Sequence, residues 1–175
     1  KIILHNIKKK DSRIKLLKKN KINFVGWGRT QEKIDFPWVD LDNEGSMDLI
    51  MNYLVDKNHK HIAFINVDER YNFAFQRKQG YLNFLKNNKI KFKKQYYISV
   101  HNEDPEEISF TIKKLLLQNP KITAIIGSTE YSAAAAIKAC NQLKKKIGQN
   151  ISIITFDGTV VNSISSPSLT AVTHD

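Results

Sequence analysis

The sequence predicts an α/β fold in which parallel sheets are flanked by helices. Three observations predict it. Short β-branched apolar runs alternate with segments of helical period from one end of the 175 residues to the other. Most of those runs are apolar at both odd and even positions, as strands are when helices cover both faces of a sheet. The helical segments carry readable caps, and a strand-helix-strand series of this kind winds right-handed into a parallel sheet.

The elements follow in order. Strands are expected at "IILHN" (2–6), "NFVGW" (23–27) and "WVDL" (38–41). A helix is expected from about Glu44 to Lys57, with Leu49, Ile50, Tyr53 and Leu54 buried, and Asn58 can take the left-handed conformation that ends it. "HIAFIN" (61–66) is the next strand, followed by a helix that begins near Asn72 and runs through "FQRKQGYLNFL". "YYISV" (96–100) precedes a helix with a plainly written start. Asp104 is its N-cap, Pro105 takes the first helical position, and Glu106 and Glu107 lie at the positive end of its dipole. Ile108, Ile112, Leu115 and Leu116 form the apolar stripe of that helix, and Asn119-Pro120 stops it. "TAIIG" (123–127), the helix "YSAAAAIKACNQLKKK", "ISIITF" (151–156) and "LTAVT" (169–173) complete the series. The lysines of that last helix complement its negative end.

Composition narrows the function classes. With 41% hydrophobic and 26% charged residues the chain is an ordinary globular one, long enough for one domain or two small lobes. No apolar run approaches the ~20 residues needed to span a bilayer. The net charge of +11 invites a nucleic-acid reading. Only Arg13, Arg29, Arg70 and Arg77 are arginines, however, and the lysines are scattered in short runs at the ends and exposed faces of helices. Basicity alone therefore identifies no partner. Cys140 is the only cysteine, so no disulfide framework exists, and its small-residue helix face makes it a buried inert thiol in a reducing compartment.

Most chemistry is excluded by spacing. "GWGR" (26–29) lacks the third glycine of a dinucleotide turn, and no Walker loop occurs. His59 and His61 have no third ligand at metal spacing. Gly127-Ser128 lacks the second glycine of a hydrolase elbow, and Asp42 suits a helix cap. No cofactor is indicated. Open α/β sheets bind ligands beyond the carboxyl ends of their strands. The residues there include Gly28, Arg29, Asp42, His101, Asn102, Thr129, Asp157 and His174, a hydrogen-bonding set that suits a polyhydroxylated ligand better than a phosphate. Two residues stand out. Arg77 is either a surface residue with a buried stem or a guanidinium fork curled over the strand ends. Asp157 is either the N-cap of "GTVVNSI" or a ligand acceptor. Sequence physics leaves both pairs of readings open.

In order and spacing, "HIAFI", "RKQGYLNFL", "KITAIIGSTEYSAAAAIKA", "ISIITFDGT" and "SPSLTAVTHD" resemble the effector-binding core of the LacI/GalR family of bacterial transcription regulators, and the earlier "FVGWGR" and "VDLDNEG" fit the same pattern. The resemblance covers nearly the whole chain. It implies a periplasmic-binding-protein-like fold of two α/β lobes about a ligand cleft. Residues 1–41 would be the tail of the N-terminal lobe, two strands and one helix, and 42–175 the C-terminal lobe, ending on the return crossover. The N-terminal lobe would then be incomplete, the helix-turn-helix absent from this chain, and the chain an excerpt of a longer protein.

Carried over by position, the resemblance places effector contacts at Arg77 and Asp157 and further ligand contacts at Thr129, at His101 or Asn102, and at His174. Gly28 with Arg29 matches the cleft edge of the other lobe, and Phe73 the cleft entrance. It implies a non-enzymatic, cytoplasmic homodimer that binds a small-molecule effector such as a sugar, and operator DNA through the absent helix-turn-helix, with no membrane partner. The Ala-rich helix from about Tyr131 and the stretch 163–166 match family dimer surfaces, although the alanines also suit packing on the sheet. The sequence departs from the family pattern at Asn58, Thr129, Gly158 and His174, so effector identity does not transfer. An extracytoplasmic sugar-binding protein feeding a transporter shares the architecture and is the alternative.

Overall fold

The computed structural model describes residues 1–101, 104–158 and 163–173, arranged around two parallel sheets. The first contains β1 (Ile2–Leu4), β2 (Phe24–Trp27) and β3 (Trp38–Val39) in the order β1-β2-β3. Helix α1 (Ser12–Lys19), capped by the Asp11 side chain accepting from Arg13 N–H, covers one face. Leu4, Ile7, Ile14, Phe24 and Phe36 form a small core there. Residues 1–41 thus hold three paired strands, one for each of the three expected runs, because Gly26 and Trp27 pair with Trp38 and Val39.

The second sheet contains β4 (Ile62–Asn66), β5 (Tyr97–Ser99), β6 (Ala124–Gly127), β7 (Ser152–Phe156) and β8 (Thr170–Val172) in the order β5-β4-β6-β7-β8, every pair parallel. Four helices connect or precede its strands: α2 (Asn43–Asp56), α3 (Asn72–Asn87), α4 (Pro105–Gln118) and α5 (Glu130–Gln142). Strand β4 shows why both parities are apolar. Ile62 and Phe64 pack with Met47, Leu54, Tyr81 and Phe84 of α2 and α3. Ala63 and Ile65 pack on the opposite side with Ile112 and Leu116 of α4 and Ala136 of α5. The alanines of α5 are therefore sheet-facing.

Two details of the sequence reading change. On α2 the buried stripe is Met47, Ile50, Met51 and Leu54, spaced i, i+3, i+4 and i+7 along one face, whereas Leu49 and Tyr53 are 64% and 45% exposed. The stripe is rotated toward two methionines that pack with the sheet, Met47 also lying against Gly80. Helix α5 ends at Gln142, and its lysines lie in the turn beyond, where Lys144 has a positive φ. Asn58 takes the left-handed conformation expected of it, with φ 65°. Asp42 caps α2 through Gly45 N–H at 2.9 Å.

The two sheets meet at their strand ends. Lys9 N–H donates to Arg70 O at 2.8 Å and Asn72 N–H to Ile7 O at 2.9 Å, tying the loop after β1 to the turn that opens α3. The carboxyl ends of both sheets consequently face a shared cleft.

Candidate functional site

The cleft has a volume of about 380 Å³ and is lined from both sheets, with Gly28, Arg29 and Asp40 following β2 and β3, and Thr129 and Asp157 following β6 and β7. Phe73, Asn72 and Arg77 come from α3, Asn43 from the start of α2, and Trp27 and Asn6 from the first sheet and its loop. A volume of this order holds a small sugar-sized ligand.

Arg77 forms the floor. Its side chain is only 5% exposed, so the surface reading fails. Helix α3 carries it beneath the strand ends, where Nε donates to Asn43 Oδ1 at 2.8 Å and Nη1 donates to the Ser128 carbonyl. The guanidinium carbon lies 3.9 Å from the centre of the Phe156 ring and 5.0 Å from that of Phe73. Asp157 Oδ2 is 3.9 Å from Nη2. Burial pulls the Arg77 pKa down to about 10, against the pull of Asp157 and Asp40, so the group is still cationic at neutral pH. The result is a buried cation whose nearest carboxylate is itself 47% exposed to the cleft.

Asp157 follows β7 with φ 63°, a left-handed backbone that turns its side chain out of the strand direction. "GTVVNSI", the segment Asp157 would cap, lies mostly outside the described residues. Gly158 has a steric reason: a Cβ there would lie 2.6 Å from Thr173 Cγ2, beyond the end of β8.

Residues not singled out from the sequence complete the site. Asp40 is buried beside Arg29, whose Nε is 3.1 Å from Oδ2, and Oδ1 accepts from Leu41 N–H. Burial raises the Asp40 pKa although Arg29 opposes it. Among the described residues, Asn72 Nδ2 has no hydrogen-bond acceptor, while Asp40 Oδ2 has only the Arg29 guanidinium beside it. Asn72 Oδ1 already accepts from Gln31 Nε2 at 2.7 Å. The cleft thus offers an unfilled donor at Asn72 beside the Asp40 and Arg29 ion pair, a setting that suits a hydroxyl group. Asn43 links the two sides, with Nδ2 donating to Leu41 O and to Gln76 Oε1.

Six of the nine sequence-derived positions come together here: Gly28, Arg29, Phe73, Arg77, Thr129 and Asp157. Gly28 needs its freedom, with φ 104°. Thr129 has a prior commitment, since it forms a reciprocal capping box with Ser132 at the start of α5. His101 sits apart from the cleft, 79% exposed and 3.6 Å from Asp68. It lines a neighbouring recess of about 110 Å³ that shares Asn6 and Phe73 with the cleft. Asn102 and His174 lie outside the described residues.

A family model for the periplasmic binding protein-like domain matches residues 51–175. The chain belongs to that family. Within it, this periplasmic-binding-protein-like domain is similar to LacI-type regulators, in agreement with its motifs. It is 31% identical over 149 residues to the HTH-type transcriptional regulator AglR of Rhizobium meliloti (strain 1021), covering 84% of this chain and 41% of that protein. It superposes with a TM-score of 0.88 and 28% identity on a regulatory protein of the LacI family from Chloroflexus aggregans, covering 98% of this chain and 61% of that one. A second structure, the transcriptional regulator CelR in complex with cellobiose, gives a TM-score of 0.86 at 19% identity, covering 98% of this chain and 53% of the other. The domain thus spans about two fifths of AglR and three fifths of the Chloroflexus chain. No helix among the described residues is long and apolar enough to cross a membrane.

Proposed function

We propose that this domain is the ligand-sensing and dimerising core of a LacI-type transcriptional regulator, and that its cleft closes on a small sugar or a related polar metabolite. The observation that carries the reading is the buried Arg77 cation beside the half-exposed Asp157 carboxylate, with the unfilled Asn72 donor and the Asp40 and Arg29 pair across the cleft. A vicinal pair of hydroxyls donates to the carboxylate and accepts from the guanidinium, and Trp27 and Phe73 offer apolar faces for a sugar ring. The cellobiose bound by the fold neighbour CelR supports a sugar as the ligand class.

In this reading residues 1–41 belong to one lobe and 42–175 to the other, and the hinge lies at Leu41-Asp42. His101 or Asn102, and His174, are further ligand contacts in this reading. Closure changes the lobe orientation and so the spacing of two operator-binding helix-turn-helix units outside this chain, coupling effector and DNA sites. A two-fold dimer matches the symmetry of operator half-sites. The exposed Tyr131 at the start of α5 and Ile164, 74% exposed, are its apolar contacts. The protein acts in the cytoplasm and catalyses no reaction. A regulator is favoured over a transporter-feeding binding protein because AglR and the Chloroflexus relative are regulators.

A thermal-shift screen against sugars and nucleosides tests the reading, since a ligand that binds only the folded state raises the melting temperature. Arg77→Ala and Asp157→Asn should each abolish the shift given by any hit. Asparagine is chosen at 157 because it tolerates the positive φ. Full shifts in both variants would remove the site assignment.

A further inference from the structure

The lysines look scattered along the sequence, but the fold gathers them. Connections from helix to strand in a parallel α/β unit lie where the strands begin, opposite the cleft. Here they are "KNHKH" (57–61) before β4, "NKIKFKK" (88–94) before β5, "NPKIT" (119–123) before β6 and "LKKKIGQNI" (143–151) before β7. Every one holds lysine, and none holds Asp or Glu. The cleft end of the same sheet carries Asp68, Glu69, Asp104, Glu130 and Asp157. Because the strand order is β5-β4-β6-β7, the four basic connections are neighbours. At ~4.8 Å per strand spacing they form a stripe about 14 Å wide.

Cations at helix carboxyl ends complement the macrodipole, but each such contact contributes only ~0.3–1 kcal/mol and does not call for runs of lysine. What separates this face is its lack of acids: Lys15, Lys78 and Lys138 elsewhere have carboxylate partners, whereas the four connections hold no Asp or Glu. No lysine of the four connections takes part in an ion pair among the described residues. Lys93 Nζ lies instead 3.3 Å from His61 Nδ1, which also meets Tyr96 OH at 2.9 Å. Burial, with Lys93, Lys121 and Lys60 nearby, holds the His61 imidazole below its usual range, as an uncompensated positive field does. Within the stripe a recess of about 130 Å³ is lined by His59, Lys60, Lys91, Lys93 and Tyr96.

We propose that this lysine pole binds the phosphate backbone of duplex DNA without sequence preference, as a surface separate from the ligand cleft and from any helix-turn-helix. Lysine point charges spread over four connections suit counterion release from a regular array of phosphates, whereas base reading favours the arginine fork. An acidic protein partner would need apolar anchors in the centre of the face. The exposed apolar side chains of the connections, Ile90 and Phe92, both lie in the β5 connection alone.

The test is fluorescence anisotropy of the 175-residue chain with a labelled duplex of arbitrary sequence, titrated at increasing salt. K91Q/K93Q/K121Q and K144Q/K145Q/K146Q are compared with K19Q/K21Q/K33Q, which removes the same charge from exposed sites around the first sheet. The parent affinity should fall steeply with salt. Each pole variant should bind at least about tenfold more weakly at low salt, with a log-log salt slope smaller by about 2–3. The control should stay within about twofold. Equal weakening of all three variants, an absence of duplex binding, or tighter binding of poly-glutamate than of duplex would each overturn the proposal.

Discussion

Arg77 and Asp157 face each other across 3.9 Å, yet they should answer differently to mutation. Arg77 is buried, and its removal leaves Asn43 Oδ1 and the Ser128 carbonyl without the donor they now have. Arg77→Met should therefore destabilise the folded chain by about 2–4 kcal/mol, measured by urea denaturation. Asp157 is half-exposed and Asn keeps its backbone geometry, so Asp157→Asn should change stability by less than about 1 kcal/mol. The two readings left open for Arg77 from sequence were separable only by burial, which is a property of the fold. Asp40, Asn43 and Asn72 were illegible for a related reason. They fall at the expected end of a strand or start of a helix, and only the approach of the first sheet to α3 brings Asp40, Asn43 and the unfilled Asn72 Nδ2 around one cavity.

At the scale of elements the sequence was most informative. Strand and helix positions were legible because periodicity, caps and stops agreed: Asp104-Pro105 opens α4, and Asn58 follows α2 at φ 65°. What periodicity could not supply was the rotation of α2, because Leu49 and Tyr53 fit an apolar stripe as well as Met47 and Met51 do until the partner helix is in place. That partner is α3, and Gly80 sets the approach. A Cβ at position 80 would lie 2.9 Å from both the Glu44 carbonyl and Met47 Cβ. Gly80→Ala should push the two helices apart and cost about 1–3 kcal/mol. It should also weaken ligand binding, because Arg77 of α3 and Asn43 of α2 are hydrogen-bonded across the same interface. Ligand titration beside denaturation would detect both effects. A stability loss with unchanged affinity would show that the floor of the cleft does not depend on this packing.

For the whole molecule, parallel topology accounts for both faces of the charge distribution. Strand ends gather Asp157, Thr129, Gly28 and Asp40 at one cleft, and strand beginnings gather the lysines at the other pole. The strand-end rule gathers Gly28, Thr129 and Asp157 already in a linear reading, whereas the lysine pole emerges only with the strand order, its residues being tens of positions apart. The central claim is that the cleft holds a polyhydroxylated ligand through the Arg77 and Asp157 pair. It is tested most directly by the dissociation constant of a sugar ligand for the parent and for Asp157→Asn, measured by titration calorimetry. Loss of one charge-assisted hydrogen bond, ~1.5–3 kcal/mol, predicts about 10- to 100-fold weaker binding with an unchanged melting temperature of the free protein. An affinity within twofold of the parent would contradict the account.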